Sequence, residues 1–228
     1  MRRITLCFAI LISAVGFAQN TGEDDWGAWY MYFGTNKVSD KLSIHSEAQI
    51  RFYETTGNFN QLLLRTGLNY HINPDAIATF GYAYIATDGT FEEFPNEIDS
   101  KENRIFQQLI LKNKVGQFLF EHRYRLEQRF IDFGETTDTQ HRARYRLQLT
   151  LPLTNTFFVN VYDEVFINLQ DDIFGQNRLY AAIGVHITEN SNLQLGYLKN
   201  HFNEANFDRI QVGFFYNPDL RRKSKSPN

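Results

Sequence analysis

The sequence predicts an all-β fold, a single antiparallel up-and-down transmembrane β-barrel of about 10–12 strands. Three observations carry this. Apolar and polar side chains alternate with period two from Trp26 to Tyr216. The links between the alternating stretches are short and long by turns. The chain also opens with a secretory pattern.

At the N-terminus, Arg2 and Arg3 precede an apolar run from Ile4 to Phe17, and Gly16 and Ala18 supply the small residues of a cleavage site. Residues 1–18 therefore read as a signal peptide cut after Ala18. The only cysteine, Cys7, lies inside that run, which excludes disulfides in the mature chain and a lipidated cysteine at its start. Losing Arg2 and Arg3 takes the formal charge of the 228-residue chain from −3 to −5. No other stretch has the apolar length of a membrane helix. Barrel strands, being apolar on one face only, escape that criterion.

Strands are predicted near Trp26–Gly34, Lys41–Glu54, Gln61–Ile72, Ala76–Thr87, Glu102–Val115 and Gln117–Asp132. More follow near Thr139–Leu151, Phe157–Leu169, Asn177–Thr188, Asn192–His201 and Phe207–Tyr216. Phe and Tyr are abundant, as strands prefer. The links at Asn73–Asp75, Gly116, Pro152–Asn155 and Glu189–Ser191 are tight, with Asn, Gly, Pro or Asp where turns need them. Thr55–Asn60, Asp88–Lys101, Phe133–Asp138, Gln170–Gln176 and Phe202–Asn206 are longer, and Thr35–Asp40 falls on the short side. Short periplasmic turns and long external loops have this rhythm. Eleven stretches are odd for a single-chain bacterial barrel, so ten or twelve spanning strands are expected: either Trp26–Gly34 is not a full spanning strand, or a further strand is merged with another stretch or lies outside these eleven. Residues 19–218 make the barrel and 219–228 a basic tail containing Arg221, Arg222, Lys223 and Lys225. That tail departs from the aromatic C-terminal residue common in outer-membrane barrels.

In a strand, i and i+2 share a face. Glu121, Arg123, Arg125, Glu127 and Arg129 thus form one charged stripe, opposite Tyr124, Leu126 and Phe130. Arg142, Arg144 and Arg146 oppose Ala143, Tyr145 and Leu147; Glu47 and Arg51 oppose Ile44, Ala48 and Ile50; Arg178 opposes Leu179, Ala181 and Ile183. A soluble sandwich or lipocalin-like barrel turns the apolar face inward, whereas a membrane barrel turns it to lipid. Arg dominates these stripes and Lys is nearly absent. A guanidinium tolerates partial desolvation and forks onto carboxylates, so the charged face reads as the enclosed one.

The inward set is then Arg51, Arg65, Arg104, Arg123, Arg125, Arg129, Arg142, Arg144, Arg146, Arg178 and Arg209, against Glu47, Glu102, Glu121, Glu127 and Glu164. Eleven cations against five anions leave six in excess. Such charges need water, Tyr and carbonyl groups, or a bound anion. Turn positions suggest the pairings Arg104–Glu127, Glu127–Arg144, Arg144–Glu164 and Glu164–Arg178, a belt of alternating sign across five strands.

Other constellations are weaker. Ser43, His45 and Glu47 share a face, but successive same-face positions lie about 7 Å apart, too far for nucleophile and base, so ordinary wall positions account for them. Asp171, Asp172, Glu92, Glu93, Glu97 and Asp99 are oxygen ligands without calcium-loop spacing and read as solvated loop charges. The sequence carries no phosphate-cradling glycine loop, zinc spacing or nucleic-acid signature, and no cofactor is expected.

The blocks ENRIFQQL, EHRYRLEQRFI, HRARYRLQLTLPL, VYDEVFINL and NRLYAAIGVHITENSNLQLGYLKN resemble the DUF2490 family, whose uncharacterised members are common in Bacteroidetes and relatives. The resemblance covers nearly all of the mature chain and implies an outer-membrane β-barrel with no assigned activity or catalytic residues. The expectation is a barrel in the outer membrane of a Gram-negative bacterium, in contact with membrane lipids. Its Arg/Glu lumen is either plugged or a small porin-like passage preferring an anionic solute. An outer-membrane lipid-modifying enzyme and a secreted lipocalin-like binding protein are the alternatives.

Overall fold

A computed structural model describes residues 21–92, 99–170 and 172–221. The signal-peptide reading of residues 1–18 lies outside the described residues, as do Glu93, Glu97 and Asp171 and most of the basic tail.

Eleven strands close into a barrel: β1 (Trp26–Lys37), β2 (Leu42–Phe52), β3 (Phe59–Asn73), β4 (Ala76–Thr87), β5 (Ser100–Val115), β6 (Phe118–Asp132), β7 (Thr137–Pro152), β8 (Phe157–Asn168), β9 (Phe174–Thr188), β10 (Ser191–His201) and β11 (Asn206–Tyr216). Each pairs antiparallel with its sequence neighbours, and closure pairs β1 with β11. The even count expected from the sequence is wrong. β1 is a full strand, longer than its alternation suggested. Each hairpin reverses the chain, so the first and last of an odd number of strands point the same way. The seam is accordingly parallel, from Trp26↔Asp208 to Gly34↔Tyr216. A further consequence is that the two ends of the strand array lie at opposite rims.

The chain prolongs the seam past β11. Lys37 N–H donates to Pro218 O (2.9 Å), and Leu220 N–H donates to Lys37 O (2.8 Å). Arg221 then grips the Asp219 carboxylate (2.9 Å from Nε to Oδ1) and bonds to Asp40.

Links 38–41, 74–75, 116–117, 153–156 and 189–190 share one rim, and 53–58, 88–99, 133–136, 169–173 and 202–205 the other. The contrast in length is softer than expected, since 133–136 is no longer than 153–156. At the two-residue turn 116–117, Gly116 adopts φ 60°, the left-handed region that a Cβ disfavours.

Charges face in and apolar side chains face out. Phe80 is 61% and Ile183 64% exposed on the outer wall, and Ile44, Leu68, Leu126, Leu179 and Leu195 are exposed there too. Glu47, Arg104, Arg125, Glu127, Arg144 and Glu164 are buried inside. A lipocalin-like barrel needs these faces exchanged. Aromatic rings also fill the interior. Phe106 fits because its cross-strand partner is Gly81, where a Cβ would come within 2.5 Å of the ring.

Register departs from the sequence reading at three hairpins. Arg104 lies opposite Arg129 and Glu127 opposite Phe106. Glu127 is opposite Arg142 rather than Arg144, and Glu164 is opposite Arg146 rather than Arg144. Only Glu164↔Arg178 is paired as expected. Each slip is two residues, because the turns are centred one residue away from the assumed position. A slip of two preserves the face, which is why the inward set is unaffected.

Candidate functional site

The lumen is built by the inward positions of all eleven strands and encloses a cavity of about 1070 Å³. Its walls differ in how they treat charge.

On β5–β8, carboxylates gather arginines. Glu127 Oε2 accepts from Arg142 Nε (2.9 Å) and Nη2 (2.7 Å), while Oε1 accepts from Arg144 Nη1 (2.8 Å) and Arg104 Nη1 (3.4 Å). Arg125 Nη1 stands 3.7 Å away. Glu164 Oε1 accepts from Arg123 Nη2 (2.7 Å) and Arg144 Nε (3.0 Å). Glu102 accepts from Arg104 Nε (2.6 Å) and from Nε and Nη2 of Arg129 (3.0 and 2.8 Å). Arg146 reaches Glu121 (2.6 Å). Ionised carboxylates hold several such donors, and charge-assisted bonds of this length are the strong kind. Five of these contacts, Arg129–Glu102 and Arg146–Glu121 among them, are diagonal across the sheet. A long arginine spans that offset, so Arg104–Glu127, Glu127–Arg144 and Arg144–Glu164 meet although none is directly opposed.

Glu164 and Arg178 show the converse. They are directly opposed, yet no ion pair between them exists among the described residues. The Arg178 guanidinium instead lies 4.6 Å from the Phe166 ring centroid and 4.9 Å from that of Trp29. Gln176, with its carboxamide oxygen turned inward, accepts from it at 2.8 and 3.0 Å, and Asn200 at 3.4 Å.

Sequence reasoning missed the lumen aromatics. Arg65 and Arg125 stack on Phe106, Arg142 and Arg144 on Phe166, and Arg51 on Trp29 at 3.8 Å. A desolvated cation over a ring is worth about 2 kcal/mol, so rings shelter part of the excess for which water, Tyr and carbonyl groups, or a bound anion were the expected partners. The signal was available: Phe106 follows Arg104 by two and Phe166 follows Glu164 by two, on the same face. Side-chain amides take more. Gln108 accepts twice from Arg125 (2.9 and 2.6 Å), and Gln49 and Gln61 accept from Arg51 (2.6–3.0 Å).

On β2 and β3, Arg65 Nη1 holds Glu47 (2.6 and 2.7 Å), and Gln49 links that carboxylate to Arg51. His45 contacts Glu47 at 3.0 Å, but Ser43 does not meet His45. Its Oγ lies 2.8 Å from His71 Nε2 on the adjacent strand. Ser43 is 0% exposed, and the charged groups acting on His71 are Lys37 and Lys112, not a carboxylate. The pair lacks both access and an orienting acid, so it does not make a nucleophilic centre. Among the described residues, no three His, Cys, Asp or Glu side chains converge as a metal site.

Seven buried side-chain N or O atoms have no hydrogen-bond partner among the described residues, and six of them are donors: Trp29 Nε1, Arg65 Nε, Arg123 Nε, Arg125 Nη1, Arg146 Nε and Gln211 Nε2. All six side chains line the cavity. The lumen is short of acceptors.

A protein of Methylorubrum extorquens, described as uncharacterized, is 26% identical over 208 residues, covering 86% of this chain and 87% of that protein. Among solved structures, the siderophore receptor PirA of Pseudomonas aeruginosa aligns with a TM-score of 0.34 at 11% identity, over 76% of this chain and 35% of the receptor, so the chain spans about a third of that protein. Residues 26–211, from the first strand of the barrel into the last, match the family of proteins of unknown function DUF2490, and the chain belongs to that family.

Proposed function

We propose that this protein is an outer-membrane β-barrel of a Gram-negative cell whose lumen admits small anionic solutes. The observation that carries the reading is the bias of the unanswered buried groups, six donors to one acceptor, in a cavity lined by arginines that outnumber carboxylates. An electron-rich solute supplies what these walls lack, whereas a cation meets repulsion. The apolar outer face supports the membrane setting, because a contiguous apolar exterior of this extent suits lipid and not water. The Arg/Glu network on β5–β8 fits the same reading as a brace: it holds its arginines against one wall and leaves open volume beside them.

The test has two parts. Mature protein should fractionate with outer membranes and migrate on gels in a heat-modifiable way. Reconstituted into planar bilayers under a potassium chloride gradient, it should give a reversal potential of the sign set by chloride. A soluble periplasmic product, or cation preference in the bilayer, rejects the proposal.

A further inference from the structure

Three inward arginines have no carboxylate partner among the described residues: Arg51 on β2, Arg178 on β9 and Arg209 on β11. They gather on one side of the lumen, around Trp29 of β1. Arg51 and Gln211 are the two cross-strand partners of Trp29, one on each side. Arg209 pairs with Gly27, one inward position nearer the loop rim. Arg178 reaches the Trp29 ring from β9.

Neutral acceptors meet parts of these guanidiniums. Arg51 is held by Gln49 and Gln61, and Arg209 Nη1 by the backbone carbonyls of Asp208 (3.1 Å) and Asp25 (3.4 Å). Amides and carbonyls satisfy hydrogen bonds without cancelling charge. Two further donors point the same way. Trp29 (5% exposed) and Gln211 (2% exposed) each bury an N–H without an acceptor, and both side chains line the cavity beside Arg51 and Arg178. Leaving a buried donor unanswered is costly. Two on neighbouring positions, within a group of uncancelled cations, describe a site whose missing component is negative and rich in acceptors.

We infer that the Trp29 wall is a binding site for a small oxyanion of the carboxylate, sulfate or phosphate kind, with Arg51 and Arg178 supplying charge and Trp29 and Gln211 neutral donors. Planar guanidinium forks match oxygen pairs better than a single spherical halide. This rests on the anionic-solute reading of the lumen and gives it a location.

Trp29 is also the reporter. The chain has two tryptophans, and the other, Trp26, is 54% exposed. In the full barrel carrying Trp26→Phe, sodium sulfate is titrated against sodium chloride at matched ionic strength while Trp29 emission is followed. A saturable change is expected with sulfate and not with chloride. Arg51→Gln and Arg178→Gln should each weaken sulfate at least about tenfold, the loss of one charge-assisted bond. Arg51→Lys should recover part of the loss. Lys199→Gln removes a cation paired with Asp208 outside the site and should stay within about twofold of the parent. Heat-modifiable migration certifies that each variant is folded. No saturable response in the folded parent, or undiminished sulfate binding in a folded Arg51→Gln/Arg178→Gln double variant, overturns the site. If bilayers show anion preference while Trp29 is silent, this site falls and the lumen reading stands. If Trp29 responds in a barrel without anion preference, the site stands and the passage reading falls.

Discussion

The wall formed by β5–β8 and the wall around β1 handle the same residue type in opposite ways. Around the ring, β6 and β7 lie farthest from β1. On the first wall, Glu127 and Glu164 each collect several arginines at 2.7–3.4 Å. On the second, Arg51, Arg178 and Arg209 rest on rings, amides and carbonyls. The difference teaches that the carboxylates, not the arginine excess, are spread unevenly: every inward arginine of β5–β8 lies within 4 Å of a carboxylate, and among the described residues these three do not. One wall is closed by carboxylate bridges and mechanical. The other is open and receptive, and there a ligand gains most from binding.

The largest effect should come from breaking the closed wall. Glu127→Gln leaves Arg104, Arg142 and Arg144 without their shared anion, and removing one partner of a buried pair costs about 3–5 kcal/mol. Arg51→Met, on the open wall, strands no carboxylate and keeps apolar contact with Trp29, so its cost should be much smaller. Unfolding of both variants in detergent by denaturant checks this. Equal losses would erase the contrast between the walls.

Both walls were partly legible in the sequence, and the reason differs by level. Strand positions and faces come from a local period of two, so stretches such as EHRYRLEQRF declare them residue by residue. Register is a property of turns. Whether residues 116–117 or their neighbours make the turn moves Glu127 from Arg104 to Phe106, and nothing within β5 or β6 reveals it. Lumen aromatics were passed over because a Phe in a barrel strand is first read as lipid-facing. Phe106 and Phe166 contradict that only through their spacing from Arg104 and Glu164. The odd strand count escaped for another reason: an expectation about bacterial barrels was given more weight than eleven alternating stretches.

The contrast should be confined to the lumen. Leu147 on β7 and Ile183 on β9 belong to the outer faces of the two walls and are both exposed. Leu147→Arg and Ile183→Arg should each cost about 2–4 kcal/mol near the bilayer midplane, with other apolar residues tolerated. Assembly into lipid vesicles measures this. Normal assembly of either arginine variant removes that outer face from the lipid.

A smaller effect separates contact from proximity on the closed wall. Double-mutant cycles between Glu164 and Arg144, which touch at 2.9 Å, should give a coupling of about 1–3 kcal/mol. The cycle between Glu164 and Arg178, opposed in register but without an ion pair among the described residues, should give a clearly smaller coupling. The reverse order would restore the directly opposed belt and take Arg178 off the open wall.

The smallest effect lies at the end of the seam, beyond the open wall. Parallel pairing is slightly weaker per residue than antiparallel, and β1·β11 is the one parallel pair of strands among the described residues. Its continuation rests on Lys37, Pro218 and Leu220, with the Arg221 guanidinium against Asp219. That contact holds the Asp219 carboxyl at about 2, below the usual aspartate value. A depressed carboxyl stabilises the folded form at pH values above its unfolded pKa of about 4 and loses that contribution as pH falls toward 2. Both groups are exposed, so water screens the pair and the contribution to global stability is small. The effect should therefore appear locally. Protection of the Leu220 and Lys37 amides against hydrogen exchange should fall between about pH 4 and 2 while β6 and β7 amides are unmoved. Asp219→Asn should flatten that dependence. If Asp219 titrates at an ordinary aspartate value, the latch is absent in solution and the seam ends at Tyr216.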